Sequence, residues 1–342
     1  MWGVVVCDRK FAAHRRGREM LRRIAQKARS VADAAALDFR IRMKWNRDRK
    51  TLPLTSKHRE LYDISHRFLW KELGRFPNLI DCDDFNDRIQ WVKLFDQRIE
   101  TVMCTDKVRL RDHVRECLGA GYCPELFQVH DKFEDIDFDA LPDRFVIKAN
   151  HDYGSVLVVK DKQSLDMRAA NDLFSSALSR PFGWDRGEWA YSFIPRKVFV
   201  EEFIGSGDLR PPPDYKFLCV DGSVKFLHYL YDRDSGLKEQ VIDLEGNDPG
   251  VRFFAYVPYG SGFTMPGNWK EMISCAEKLS KGWKFVRVDL YSVNGKIYVG
   301  EMTFFPAGGA YPGDGQAFWG KMLDFDRTTF LPPIVPALQS QP

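Results

Sequence analysis

Apolar and polar positions follow two different periods along this chain, and the change falls near Cys123. Before it the spacing is helical. The stretch "RRGREMLRRIAQKARSVADAAALDFRIRMKW" (15–45) sets Met20, Leu21, Ile24, Ala28 and Val31 at helical intervals in a basic surround. Further helices are predicted at 56–74 and 84–97, the second with an acidic N-cap and with Ile89, Val92 and Phe95 near helical spacing. "TDKVRLRDHVRECLGAG" (105–121) reads as another helix, with Thr105 as its cap, Val108, His113, Val114 and Leu118 on one face, and glycines at the exit. After Cys123, "RFVIKAN" and "SVLVVKD" are strand-like and flank the polar loop "HDYG". "KQSLDMRAANDLFSSALS" returns to helix and "KVFVEEFIG" to strand. "DYKFLCVDGSVKFLHYLY" is a hairpin across Asp221-Gly222, and "VRVDLYSVNGKIYVGEMTF" is a second around Asn294-Gly295. The helix "NWKEMISCAEKLSKGW" lies between them, and an aromatic helix near "GQAFWGKMLDF" follows. "RPPPD" reads as a loop and "LPPIVPALQSQP" as a loose terminus. Strands and helices mix without regular βαβ spacing, which predicts the α+β class.

Composition changes this picture in two places. The net charge of +3 conceals a basic arm: residues 9–50 hold fifteen Lys/Arg against four acids, which leaves the remainder mildly acidic. The arm fits a solvated helix or a contact with anionic lipid through residues 15–50, where clustered cations gain about 1 kcal/mol each. Nucleic acid is not an expected partner, because the rest of the chain adds no basic surface and no known motif. Seven scattered cysteines without zinc-finger or redox spacing read as reduced thiols. No apolar run approaches the ~18 residues of a membrane span. A cytoplasmic protein, with its arm free to touch the inner face of the membrane, is expected.

The second hairpin poses the chemical question, since Arg287, Asp289 and Glu301 interrupt apolar strands. A strict two-residue turn at Asn294-Gly295 would face Asp289 with Gly300 and send Glu301 to the other side of the sheet. A three-residue loop, Val293-Asn294-Gly295, would set Glu301 opposite Arg287 and diagonal to Asp289. We expect the odd loop or an equivalent bulge, because two carboxylates and an arginine on one face suit a cation and a polyphosphate. An internal ion pair of Arg287 with either acid is the structural alternative. Lys148 lies in an otherwise apolar strand, where a lysine is costly to bury unless an anion meets it. Glu201 and Glu202 end the strand "VFVEE", and Lys216 lies in "DYKF". Lysines on one side and carboxylates on the other suit MgATP held between two sheets.

The chain resembles the ATP-grasp superfamily, and within it the TupA-like ATP-grasp proteins found with bacterial polysaccharide genes. The resemblance runs from about Phe85 to Phe305. It rests on "IQWVKLFD", "DKVRLRDHV", "LPDRFVIKANHDYGS", "KVFVEEFIG", "DYKFLCVDGSVKF" and "FVRVDLYSVNGKIYVGEMTF", taken in order. It implies ATP between two α+β lobes, at 105–208 and 209–330, preceded by a basic arm (1–50) and a helical region (51–104) and followed by a loose tail (331–342). Lys107 and Lys148 would touch phosphates, with Gly154 and Ser155 in a lid over them. Glu201 and the backbone of Glu202, Phe203 and Ile204 would hold adenine, and Asp208 the ribose. Lys216 would reach the phosphates from the second lobe, Asp289 and Glu301 would bind Mg²⁺, and Arg287 would stabilise the transferring phosphoryl. Thr303 stands where the superfamily often has Asn, which puts a second Mg²⁺ in doubt. His151-Asp152-Tyr153-Gly154-Ser155 replaces a glycine-richer loop and adds a negative charge near phosphates. The first 80 or so residues show no sign of the nucleotide-fold lobe that many members carry.

No G-x-S-x-G, cysteine-nucleophile motif or G-x-x-x-x-G-K-[ST] is present, so hydrolase and P-loop chemistry fall away. By resemblance the expected activity is an ADP-forming carboxylate–amine ligase, with a carboxylated or amino sugar, a glycan or an amino acid as substrate. A phosphotransferase or other glycan-assembly transferase, and a non-catalytic nucleotide-binding scaffold, are the alternatives. Trp184, Trp189, Tyr191 and Tyr311 suit either a sugar platform or core packing.

Overall fold

The computed structural model describes residues 32–205, 212–233, 235–254, 257–313 and 315–339. The chain divides into two compact units, Met1–Pro53 and Leu54–Pro342. In the first, residues 32–48 form helix α1, closed by a Lys44–Asp48 pair at 2.8 Å. The earlier part of the expected basic helix lies outside the described residues. Among the described residues no helix is long and apolar enough to cross a membrane, and the six described cysteines are free.

In the second unit, α2 (Arg59–Leu73) ends at Gly74, whose φ of 68° is the left-handed stop that glycine tolerates best. Helix α3 (Phe85–Phe95) is capped by Asp84, whose side chain accepts from the Asp87 amide at 2.9 Å. Every residue of α3 is buried, its charged ones included. The helix expected over 105–121 starts later and is shorter, and Thr105 ends the helix before it. Thr105 closes α4 (Ile99–Thr105), and its hydroxyl donates to the Thr101 carbonyl at 2.6 Å. Asp106 then accepts from the Val108 and Arg109 amides at 2.9 and 3.4 Å, and α5 begins only at Leu110 (Leu110–Leu118). The carboxylate offers the backbone a better local partner than the helix ladder does.

Two antiparallel sheets follow. The first has four strands in the order β1 (Leu126–His130), β4 (Val198–Glu202), β2 (Phe145–Ala149), β3 (Val156–Val159). Its inner face, with Phe145, Ile147, Val159, Val198 and Val200, packs with Phe133 and with Phe174 of α6 (Met167–Leu178). A short helix α7 (Trp189–Ser192) precedes β4. The second sheet runs β7 (Lys238–Ile242), β6 (Ser223–Tyr231), β5 (Asp214–Val220), β8 (Phe285–Val293), β9 (Lys296–Thr303). Helix α8 (Trp269–Ser280) covers one face, with the Trp269 ring 5.5 Å from that of Phe217. Both hairpins turn in two residues, as Asp-Gly and Asn-Gly allow: φ is 47° and 77° at Asp221-Gly222, and 53° and 79° at Asn294-Gly295. The α+β class is therefore as expected. Helix α9 (Gln316–Met322) comes next, and the described part of the tail, to residue 339, is tied to the body. Leu331 donates its amide to the Phe95 carbonyl at 2.8 Å, Ile334 donates to Gln97 Oε1 at 2.9 Å, and α10 (Val335–Gln339) follows.

The β8–β9 ladder corrects the register argument. From Val293↔Lys296 to Leu290↔Val299 the pairing is that of a strict two-residue turn. It then jumps by one, so that Asp289 faces Glu301 and Arg287 faces Thr303. The odd loop is absent, and the shift comes from a bulge at Gly300 instead. Glycine is needed there because a Cβ would come within 2.7 Å of the Tyr291 ring. Deleting Gly300 should regularise the ladder with Glu301 still opposite Asp289, whereas Gly300→Val drives its side chain into Tyr291 and should cost about 1–3 kcal/mol. Urea unfolding of the two variants checks this, and a valine variant more stable than the deletion would contradict it.

Candidate active site

The outer face of the first sheet and the polar face of the second wall a cavity of about 990 Å³. Strand alternation builds the first wall. Phe145 and Ile147 enter the core, so Val146 and Lys148 face the cavity beside Val156, Val158 and Glu201. Lys148 Nζ lies 2.5 Å from Glu201 Oε1, and Arg111 Nη2 lies 2.5 Å from Glu201 Oε2. Arg111 also donates to the Pro124 carbonyl at 2.6 Å. The anion that makes Lys148 tolerable in its strand is thus Glu201, and this carboxylate is committed to two cations rather than left free for a base. Sequence reasoning missed Arg111, whose place in "VRLRDHV" looks like any exposed helical position. Glu202, Phe203 and Ile204 line the cavity, and Glu202 Oε2 accepts from the Glu125 amide at 3.2 Å. Asp208 lies outside the described residues.

The second wall centres on Arg287. Its Nε and Nη2 donate to both oxygens of Asp289 at 2.7 and 2.8 Å, and Nη2 also reaches Glu301 Oε1 at 2.7 Å and Thr303 Oγ1 at 3.0 Å. Lys216 pairs with Asp289 as well, and lies 3.6 Å from Asp214, which Arg233 holds at 2.6 Å. Lys107 donates to the Asp152 carbonyl, and its Nζ stands 3.9 Å from Glu301 Oε2, so it links the loop to the second wall. The two neighbouring acids are poised differently. Burial raises the Asp289 pKa, against the opposing pull of Arg287 and Lys216. Burial acts the same way on Glu301, but Lys107, Arg287 and Lys216 outweigh it and hold that carboxyl well below its ordinary range. The internal ion pair and the convergence of carboxylates are therefore both present.

The expected lid differs from a free phosphate loop. Gly154 lines the cavity, while Ser155 is buried beneath Asp152. The Asp152 carboxylate accepts from the Gly154 amide at 3.3 Å, the Ser155 amide at 3.0 Å and the Ser155 hydroxyl at 2.6 Å. The donors expected to meet phosphate already hold an anion. Tyr153 packs edge-on against Phe182 at 4.7 Å, and its hydroxyl meets Arg186. Among the four aromatics, Trp189 is fully buried and Trp184 packs against Phe193, whereas Tyr191 and Tyr311 line the cavity.

Among the described residues no group of three or more His, Cys, Asp or Glu side chains is arranged to hold a metal ion. Asp289 and Glu301 stand alone as a cross-strand pair. Mg²⁺ is commonly held through one or two carboxylates, with water and phosphate oxygens completing its shell. The donor set therefore fits a cation that arrives with a nucleotide, not one caged by protein alone.

A cavity between two antiparallel sheets, with Lys148 on one wall and Lys216 beside the paired carboxylates on the other, is the architecture of an ATP-grasp protein. The TupA-like ATP-grasp family model matches residues 87–317, about two-thirds of the chain, and the protein belongs to that family. No curated protein matches it in sequence. Similar solved structures include D-alanine–D-alanine ligase from Bacillus anthracis complexed with ATP, at 18% identity and a TM-score of 0.34, covering 59% of this chain and 54% of that one. L-amino acid ligase from Bacillus licheniformis is 16% identical with a TM-score of 0.36, over 60% and 44% of the two chains. D-alanine–D-alanine ligase from Helicobacter pylori is 13% identical with a TM-score of 0.36, over 67% and 61%. The chain spans about half the length of the first of these.

Replacing Glu201 with Ala should strand two mostly buried cations and destabilise the fold by about 3 kcal/mol. Adding Arg111→Met to that variant should recover part of the loss in urea unfolding, and no recovery would show that the pair is not coupled.

Proposed function

We propose that the protein is an ATP-dependent, ADP-forming ligase that activates a carboxylate as its acyl phosphate and joins it to an amine or similar nucleophile in bacterial surface polysaccharide assembly. One observation carries the reading: Asp289 and Glu301 stand side by side on a cavity wall that also presents Arg287 and Lys216, with Lys107 and Lys148 on the facing side. Asp289 and Glu301 would hold Mg²⁺, which when bound neutralises the phosphate chain. Lys107, Lys148 and Lys216 would take up phosphate oxygens, and Arg287 would stabilise charge on the transferring phosphoryl group. The backbone from Glu202 to Ile204 would edge the adenine. Tyr153 and Tyr191, at the cavity wall, would help to exclude water from the acyl phosphate.

A second reading, nucleotide binding without turnover, is favoured by Asp152 alone, because its carboxylate takes the lid amides that a phosphate would use. In either reading the basic segment 15–50 would rest on anionic lipid. Deleting residues 1–50 should then weaken binding to anionic liposomes, and unchanged binding would count against that contact.

Thermal unfolding with ADP, with and without Mg²⁺, tests the site. The wild type should be stabilised most with both present, and Lys148→Ala and Glu301→Ala should each remove most of the shift. If neither variant changes it, the assignment is wrong. ADP release with amino and carboxylated sugars identifies the ligase, a phosphorylated sugar identifies a kinase, and binding without turnover identifies the scaffold. Asp152→Gly should tighten ADP binding several-fold by freeing the Gly154 and Ser155 amides, at a cost of about 1–2 kcal/mol in stability. Weaker ADP binding in that variant would show that the aspartate supports the lid rather than competing with phosphate.

A further inference from the structure

One carboxylate of the cavity belongs neither to the metal pair nor to the lysine wall. Glu188 is 1% exposed and forms part of the cavity wall, and its Oε2 has no hydrogen-bond partner. The Gly308 backbone supports the carboxylate, and the cations that offset its charge are Lys93, fully buried on α3, and then Arg186, neither of which leaves Oε2 with a partner. Lys93 places its own N–H groups elsewhere: on Gln90 Oε1 at 3.0 Å, the Arg186 carbonyl at 2.7 Å and the Gly308 carbonyl at 2.6 Å. These acceptors are neutral, and they saturate the ammonium's three donors. Lys93 thus balances the Glu188 charge through space without satisfying its oxygen. A buried acceptor lacking a donor has given up its water without compensation. On a cavity wall, that cost is relieved by a ligand that brings a donor.

An ammonium group brings both N–H donors and the charge that a carboxylate prefers. Glu188 is also close to the reacting end. Tyr191 lines the same cavity, and burial together with the charges of Glu301 and Glu188 pushes its hydroxyl pKa well up. One tyrosine therefore feels both the candidate metal carboxylate and the unpartnered one.

We propose that Glu188 receives the nucleophile of the reaction, binding a primary amine as its ammonium form and taking one of its protons. The inference rests on the ligase reading above. In the step, one N–H bond breaks and its proton passes to Glu188 Oε2; the pair left on nitrogen attacks the acyl carbon as its bond to phosphate breaks, and the departing phosphate takes the second N–H proton, leaving a neutral amide. Burial raises the Glu188 pKa to about 7 against the pull of Lys93, so the group exchanges protons near neutrality. The groups facing it are Lys93 from α3, Asp185 and Arg186 from the turn before it, Tyr153 from the lid and Tyr191 from α7. The Lys93 pKa is itself lowered to about 7 by burial.

The test uses the full chain loaded with ADP and Mg²⁺, and titrates ethylammonium, glucosamine and N-acetylglucosamine by ligand-observed NMR. Wild type should prefer glucosamine to its N-acetyl form, and its affinity for ethylammonium should rise as the pH passes upward through about 7, where the carboxylate ionises. Glu188→Gln should bind both amines about ten-fold more weakly and lose the pH dependence, with MgADP affinity unchanged. Glu188→Asp, which keeps the charge, should restore part of the affinity and the pH slope, and it carries the test if the Gln variant fails to fold. Unchanged amine affinity and slope in the variants, equal binding of the N-acetyl sugar, or no binding of either amine would overturn the inference while leaving the nucleotide site standing. Failure of the wild type to bind MgADP would sink the ligase reading, and this inference with it.

Discussion

Arg287 is the residue on which the second wall depends. It is a buried guanidinium that touches Asp289 twice, Glu301 once and the Thr303 hydroxyl once. Two carboxylates on adjacent strands repel each other, and burial makes that repulsion expensive. The planar fork of arginine cancels it with fixed geometry, which the flexible single amine of a lysine could not do. The bulge at Gly300 is what brings Glu301 within reach of that fork. The geometry of the wall thus depends on one skipped residue, and its electrostatics on one cation.

The rest of the cavity repeats this logic in weaker form. Glu201 sits between Lys148 and Arg111, and Asp214 between Lys216 and Arg233. Each of these two carboxylates is met by two cations, which offsets the cost of its burial. A polyphosphate entering such a cavity meets lysines already oriented by carboxylates, so binding becomes an exchange of anions rather than the solvation of bare cations. Pre-orientation of this kind reduces the ordering cost of binding and strengthens the field at the reacting group.

Much of this was legible in the residues, and the failures have physical causes. The Asp-Gly and Asn-Gly turns were legible because only I′ geometry suits them. Lys148 was legible as a buried cation because its neighbours are apolar. The bulge was not legible by counting from the turn, since alternation reports only parity. The clue was Gly300 itself, a side-chain-free position inside a strand. Thr105 reads as a cap because the competing carboxylate at Asp106 leaves no trace in periodicity. Strand β7 escaped because Glu239 and Gln240 break the apolar pattern, while the fold satisfies both: His228 meets Glu239 at 2.9 Å, and Asp248 accepts from Gln240 at 3.0 Å. Arg111 and Glu188 were invisible for a related reason. Arg111 meets Glu201 90 residues away, the lysine whose charge Glu188 feels lies on α3, and no local pattern encodes such distances.

Arg186 does two jobs at once. Its side chain meets the lid tyrosine, and its carbonyl holds the Lys93 ammonium. The loop that carries Tyr153 and the pocket around Glu188 are therefore fastened to a single residue. Lys93 in turn carries the positive charge next to Glu188, so the chain of contacts runs from the Tyr153 loop to that carboxylate. The two ends of the cavity are thus joined through one backbone position, and a substitution that displaces Arg186 disturbs both contacts together.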